Sequence, residues 1–208
     1  MIISINHKNP QKRLVMKVVD TLKNGGVIAC PTDTIYGLGC DIYNNKAIER
    51  IYQIKRQPKS KPMSFICASL KDISNYASIS NFAYKTMKRL LPGPYTFILE
   101  ATRTVPKVML SKRNTVGIRI PDNEICLFIV RELGNPVIST SIKLPDEDNL
   151  LNEPELIQKK LGHLLDVVVD GGVSLYEPST VVDLTTDEPV LVRKGKGDTG
   201  WLPDKGQE

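Results

Sequence analysis

Apolar residues along this chain recur at two alternating spacings. Leu14, Val15, Val18, Val19 and Leu22 fall three or four apart, which predicts a helix over 10–24 with one buried side, closed by Gly25-Gly26. The run "GVIA" then predicts a short buried strand over 26–30; Pro31 ends it because proline has no N–H for a central ladder. Ile48, Ile51 and Tyr52 return to helical spacing over 46–56, so a helix delivers Lys55 and Arg56 at its C-terminal end before Pro58 stops it. Strands follow at "MSFICA" (63–68), "YTFILEA" (95–101), "TVGIRI" (115–120) and "PVISTS" (136–141). Between them lie helices over 81–91, broken by Pro92-Gly93-Pro94, and over 123–133, closed by Gly134. A polar loop (142–152), a short helix (153–161) and three strands, "LDVVVD" (165–170), "TVVDLT" (180–185) and "PVLVRK" (189–194), complete the pattern.

Helices and strands alternating in this way predict an α/β fold, a mixed sheet with helices on its faces. No repeat or linker divides the chain, so a single domain over 1–198 is expected, followed by a loose tail over 199–208. With 41% apolar residues in 208, there is enough material for a substantial core. No stretch approaches the roughly 20 apolar residues of a membrane span, and the N-terminus lacks the apolar segment of a secretory signal. The four cysteines are widely spaced without a CxxC pair and there are only two histidines, so no Cys/His metal set is expected. A cytoplasmic protein with reduced thiols is the expectation, with no membrane partner.

The net charge of +5 favours anionic partners. Basic clusters occur at Lys55-Arg56-Gln57-Pro58-Lys59-Ser60-Lys61 and at Arg193-Lys194-Gly195-Lys196; each reads either as a solvated face or as an anion site. Open α/β sheets keep ligands beyond strand ends. Near the predicted ends stand Thr34 and Tyr36, Arg119, Ser139 to Ser141, Ser179 with Thr180, and Arg193. The inventory is rich in hydroxyls and cations, which suits phosphates and carboxylates, and it offers no Ser/His/Asp arrangement and no P-loop. In "CPTDTIYGLG" (30–39), glycines two apart follow two threonines and an aspartate. This is either an ordinary turn after a strand or a loop bent beneath a small polar ligand.

Seven ordered blocks, "PTDTIYGLG" (31–39), "IYQIKRQPKSKPMSFI" (51–66), "LLPGPYTFIL" (90–99), "TVGIRIP" (115–121), "VISTS" (137–141), "PSTVVDLT" (178–185) and "VLVRKGKGD" (190–198), resemble the YrdC-like family. The sequence is most similar to its YciO-like branch. Characterised members are threonylcarbamoyl-AMP synthases, so the resemblance implies a twisted sheet with a concave basic surface. It also implies a nucleotidyltransferase that makes threonylcarbamoyl-AMP and pyrophosphate from L-threonine, bicarbonate and ATP with Mg2+, for tRNA threonylcarbamoyladenosine modification. The family has also been associated with double-stranded RNA and tRNA, and the alternative implication is a non-enzymatic RNA-binding protein acting in translation or ribosome maturation.

Carried over position by position, the resemblance assigns Thr34, Arg119, Ser139 and Ser179 to L-threonine, and Thr115, Ser141 and Arg193 to the nucleotide. It assigns Lys55, Arg56 and Lys61 to charge neutralisation in catalysis, with no residue assigned to a protein-bound metal. Two blocks depart from the synthase pattern. Its K-x-R-P reads here Lys55-Arg56-Gln57-Pro58, and its S-A-N reads Ser141-Ile142-Lys143. A one-residue move at a helix end turns a side chain by about 100°, so Arg56 is not expected to reach the position of the family's arginine. A third reading, a related enzyme for a different carboxylated amine, uses the same residues.

Overall fold

The computed structural model describes residues 1–110, 113–143, 151–174 and 177–203. Among the described residues six α-helices form: α1 (Lys12–Lys23), α2 (Asn45–Ile54), α3 (Leu70–Tyr76), α4 (Asn81–Leu90), α5 (Glu124–Leu133) and α6 (Pro154–Leu161). Four of them start on a side chain that accepts from a backbone N–H of the first turn: Asn44 for α2, Ser69 for α3, Ser80 for α4 and Asn123 for α5. Each such cap contributes about 1 kcal/mol. Gly134 ends α5 at φ 79°, a left-handed conformation that favours glycine.

The strands are β1 (Ile2–Ser4), β2 (Ile28–Cys30), β3 (Gly37–Gly39), β4 (Ser64–Ile66), β5 (Ala77–Ser78), β6 (Tyr95–Ala101), β7 (Thr115–Arg119), β8 (Val137–Ser141), β9 (Val167–Asp170), β10 (Thr180–Asp183) and β11 (Val190–Arg193). They form one sheet in the order β1-β9-β2-β3-β8-β4-β7-β6-β10-β11, with β5 paired to β6. The sheet is mixed: β1 with β9, β9 with β2, β4 with β7 and β6 with β10 are parallel, and the other pairs are antiparallel.

The predicted elements form, mostly shortened by a residue or two. Four were not legible: β1, β3, α3 and β5. The correction at β3 matters most. Gly37 and Gly39 do not bend a loop; they form a buried strand inside the sheet, between β2 and β8. The glycines are required by proximity. A Cβ on Gly39 would meet Val137 Cγ1 at 2.9 Å and the Ile138 carbonyl oxygen at 3.0 Å, and one on Gly37 would meet Ser139 Oγ at 2.9 Å. The end of the chain read as a loose tail also differs as far as residue 203. Trp201 packs edge-on against Tyr95 and donates to the Asp198 carbonyl, which also accepts from the Tyr95 hydroxyl.

Two apolar clusters cover the sheet unequally. On one face α2, α3, α4 and α6 bury side chains from β2 to β10, including Leu38, Phe65, Phe97, Ile118, Ile138 and Val182. On the other face α1 and α5 cover only the half around β1, β9 and β2, reaching Val137 of β8 and Ile66 of β4. Among the described residues no helix covers the rest of that face, over β7, β6, β10 and the remainder of β8 and β4. No helix among the described residues is long and apolar enough to cross a membrane. Gly39→Ala is expected to lose about 1–3 kcal/mol of stability through overpacking against β8. Chemical denaturation checks this, and a wild-type midpoint would show that β8 can yield.

Candidate active site

The uncovered half of the sheet face holds a cleft of about 320 Å³. Its floor follows from the two-residue period of a strand. In β7, Thr115, Gly117 and Arg119 line the cleft while Ile118 enters the core and Val116 belongs to the core and touches the cleft's edge. Thr96 and Ile98 of β6, Ser64 of β4, Ser139 and Ser141 of β8 and Val181 of β10 continue the same surface. These are mostly small or hydroxylated, as a face without a helix on it must be. Gly117 keeps it shallow: a Cβ there would sit 3.3 Å from both Ser64 Cβ and Thr96 Cγ2.

Arg119 ends β7 nearly buried, with its side chain 7% exposed. Its Nη2 donates to Asp33 Oδ1 and to Thr34 Oγ1, both at 2.9 Å. Thr32 gives its only hydroxyl proton to the Ile35 carbonyl, so at 3.0 Å Thr34 donates to Thr32 Oγ1. The segment after β2 is therefore a built support for one guanidinium. Burial lowers the Arg119 pKa and the Asp33 carboxylate opposes that shift. Arg119 Nε and Asp33 Oδ2 remain buried without a hydrogen-bond partner. Lys196 crosses from the segment after β11 and donates to the Asp33 carbonyl at 2.7 Å.

Arg193 of β11 is a second guanidinium on the lining, near enough to Arg119 to help burial lower the Arg119 pKa. Arg193 Nη2 donates to the Ser179 carbonyl at 2.8 Å and to Ser179 Oγ at 3.2 Å, and Ser179 Oγ also bonds Thr96 Oγ1 at 2.8 Å. Lys55 follows α2 directly, and its Nζ donates to the Ser141 carbonyl. Burial, helped by repulsion from Lys61, lowers the Lys55 pKa to about 8. The Tyr52 hydroxyl donates to the Lys61 carbonyl at 3.1 Å and holds the turn that carries Lys61.

The cleft thus brings together Lys55, Lys61, Thr115, Arg119, Ser139, Ser141, Ser179 and Arg193 from segments far apart in sequence. Thr34 lies behind Arg119, fully buried, rather than on the cleft wall. Arg56 does not line the cleft either. It has a left-handed backbone (φ 47°) and an exposed side chain, and Gln57 stands on the lining in its place. The hollow lies on a sheet face rather than beyond strand ends, which corrects the expectation drawn from open α/β sheets. Ser64, Thr96 and Gly117 were missed as lining residues. Their signal was a polar or small residue on one parity of an otherwise apolar strand, readable only once the strand order is known. Among the described residues lining the cleft there is no aspartate, glutamate, histidine or cysteine.

A mixed sheet with an open, cation-lined half-face defines the class. Residues 20–195 match the Sua5/YciO/YrdC family, which carries the description "telomere recombination", and the chain belongs to that family. It is 42% identical to the uncharacterized protein YciO of Escherichia coli over 93% of this chain and 95% of that one. The crystal structure of E. coli YciO superposes with a TM-score of 0.90, covering 95% of this chain and 97% of the other. It is 31% identical to the threonylcarbamoyl-AMP synthase of Vibrio vulnificus, over 87% and 98% of the two chains. The structure of Pyrococcus abyssi Sua5 complexed with L-threonine matches with a TM-score of 0.87 at 28% identity, covering 94% of this chain and 57% of that longer one.

The buried pair and the buried lysine each carry an expected effect on stability. Asp33→Ala leaves the Arg119 charge buried and uncompensated, which is expected to cost about 3–5 kcal/mol. Asp33→Leu combined with Arg119→Met should cost clearly less than the two single changes added together. Denaturant titrations of the set check both, and additive losses would show that the pair is not coupled. For Lys55 the effect depends on pH. The lysine binds its proton more weakly folded than unfolded, so its burial penalty is complete below pH 8 and fades as pH rises toward 10.5. The stability of the wild type relative to Lys55→Met should therefore rise between those values. Parallel thermal melts at about pH 7, 9 and 10 test it; a constant difference would contradict the lowered pKa.

Proposed function

We propose that this chain is a nucleotidyltransferase of the threonylcarbamoyl-AMP synthase type, using L-threonine, bicarbonate and ATP. The observation that carries the reading is one cleft lined by Arg119, Lys55, Lys61 and Arg193, with no carboxylate among the described residues that line it. The naming of relatives as threonylcarbamoyl-AMP synthases supports it. So does the similarity to P. abyssi Sua5, whose structure is a complex with L-threonine. In this reading Arg119 holds the amino acid carboxylate, and Ser139 and Ser179 offer hydroxyls beside it. Lys55, Lys61 and Arg193 neutralise the triphosphate, and Thr115 and Ser141 face the nucleotide.

The reaction asks little covalent chemistry of the protein. The threonine amine takes the carbon of bicarbonate, whose C–O bond breaks with loss of water, to give an N-carboxylate whose oxygen attacks the α-phosphorus of ATP. The P–O bond to the β-phosphate breaks and pyrophosphate leaves with its electron pair. Fixed cations stabilise the charge that develops on the leaving group, and positioning supplies the rest. Magnesium would arrive on ATP and be held by the phosphates, since the lining residues offer it hydroxyls but no carboxylate. The product would serve tRNA threonylcarbamoyladenosine formation in the cytoplasm.

The shift of Arg56 to an exposed position, with Gln57 on the lining, favours a second reading: a protein that binds double-stranded RNA or tRNA through its cations. Phosphate contacts would make that binding fall steeply with salt. Pyrophosphate release with threonine, bicarbonate and ATP separates the two, because release that is independent of threonine would overturn the synthase reading. Arg119→Ala is expected to weaken threonine binding by about 100-fold, or ~3 kcal/mol, as a charge-assisted pair is lost. Calorimetry reads this, with circular dichroism confirming that the variant folds; an unchanged affinity would remove Arg119 from the amino acid site.

A further inference from the structure

Lys55 is the most unusual cation in the cleft. The residue is 3% exposed yet lies on the cleft lining. Among the described residues its Nζ has one hydrogen-bond partner, the Ser141 backbone carbonyl, and no carboxylate pairs with it. Its nearest charged influence is another cation, Lys61 on the same lining. Buried ammonium groups are ordinarily paired with an acid. Here the surroundings are arranged for an anion instead, since Lys61, Arg119 and Arg193 share the cleft and no carboxylate lines it among the described residues. Arg119 alone among them has an acidic partner, Asp33, and it lies behind the wall.

We infer that Lys55 is a carbon dioxide site, its amine reversibly carboxylated to a carbamate that the neighbouring cations stabilise. The inference rests on the proposed function only in that bicarbonate, and the carbon dioxide in equilibrium with it, is taken as a co-substrate. In the step, the lone pair of the free Nζ attacks the carbon of CO2 and forms an N–C bond. One C=O π bond opens to give the carboxylate oxygens, and a proton leaves nitrogen for solvent. The balance is amine plus CO2 giving carbamate plus H+, with no oxidant or other reactant. The remaining N–H can still donate to the Ser141 carbonyl. The change converts a cation among cations into an anion among them, so the Coulomb contact with Lys61 changes from repulsive to attractive.

The amount of reactive amine agrees with this. A lysine with a pKa of about 8 instead of 10.5 holds about 300-fold more free amine at pH 7. A carbamate on Lys55 would hold CO2 in the same cleft as Arg119, and its reversal would release CO2 for the threonine amine and return Lys55 to the cation that faces the triphosphate.

The test uses the whole chain with 13C-labelled bicarbonate at about pH 8, near the lysine's own pKa. Carbon NMR should show a carbamate resonance in the wild type that is at least about ten-fold weaker in Lys55→Arg, which keeps the charge but has no free amine. Trapping with triethyloxonium and peptide mass spectrometry should place the modified group on Lys55, and the signal should rise between about pH 7 and pH 8.5 as the amine is deprotonated. Equal signals in the two proteins, or trapping only at the N-terminus and exposed lysines, would overturn the inference. Threonine-dependent pyrophosphate release, measured on the same wild-type sample, reports separately on the proposed function. Release without a carbamate would remove the lysine site and leave the synthase reading in place, whereas a carbamate without release would do the opposite.

Discussion

Arg119 sits where the covered half of one sheet face meets the open half, and it has almost no water around it. A guanidinium does not lose its charge at any ordinary pH, so burying it obliges the chain to supply an anion close by. The segment after β2 answers with Asp33, and Thr32 and Thr34 fix that segment through their own hydroxyls. The consequence reaches well beyond one pair. Asp33 and Arg119 are separated by 86 positions in sequence, so their contact ties the β2–β3 connection to the end of β7. Lys196, donating to the Asp33 carbonyl, adds the segment that follows β11. Three distant parts of the chain therefore converge on one end of the cleft because one buried charge must be met.

The rest of the cleft follows from what is not placed there. α1 and α5 cover only part of their face, and the strands beyond them carry serine, threonine and glycine on the parity that would otherwise hold valine or isoleucine. With no acid among the described residues of the lining, two of its cations are held by carbonyls and hydroxyls: Arg193 by Ser179, and Lys55 by Ser141. Such partners orient a positive charge without neutralising it, so the hollow retains a demand for an anion. That demand is the physical link between the fold and a phosphate- and carboxylate-binding role.

Much of the fold was legible in the sequence where burial had a clear period. The stripe on α1 and the alternation in "TVGIRI" are examples, and both elements form within two residues of their expected bounds. β3 was not legible because its signal is the lack of side chains: three residues, two of them glycine, read as a turn until their distance from β8 is known. The cleft residues were named by family resemblance, and the lining gathers eight of the ten. What neither pattern nor resemblance could supply was the partner of each group. Nothing local in "PTDT" says that Asp33 belongs to Arg119, since that depends on strand order. Nor does "YTFILEA" reveal that Thr96 bonds Ser179.

The two departures from the synthase pattern do not weigh equally once they are placed in the fold. Ile142 is 1% exposed and packs within the larger core, its carbonyl accepting from Leu151 and its N–H donating to the Tyr36 carbonyl. Lys143 is exposed and does not line the cleft. This departure therefore changes the wall behind β8 while leaving Ser139 and Ser141 on the lining. Gln57 is different, because it stands on the cleft surface itself while Arg56 turns away through a left-handed backbone. An amide can donate and accept hydrogen bonds but cannot replace a guanidinium charge. Relative to the synthase pattern the lining carries an amide where that pattern has a cation, on the same cleft as Lys55 and Lys61, the groups that the proposed reaction assigns to the leaving-group charge. In the proposed reading, the positions assigned to the amino acid keep Arg119, Ser139 and Ser179 on the lining with Thr34 behind Arg119, and the positions assigned to the phosphates carry one charge fewer.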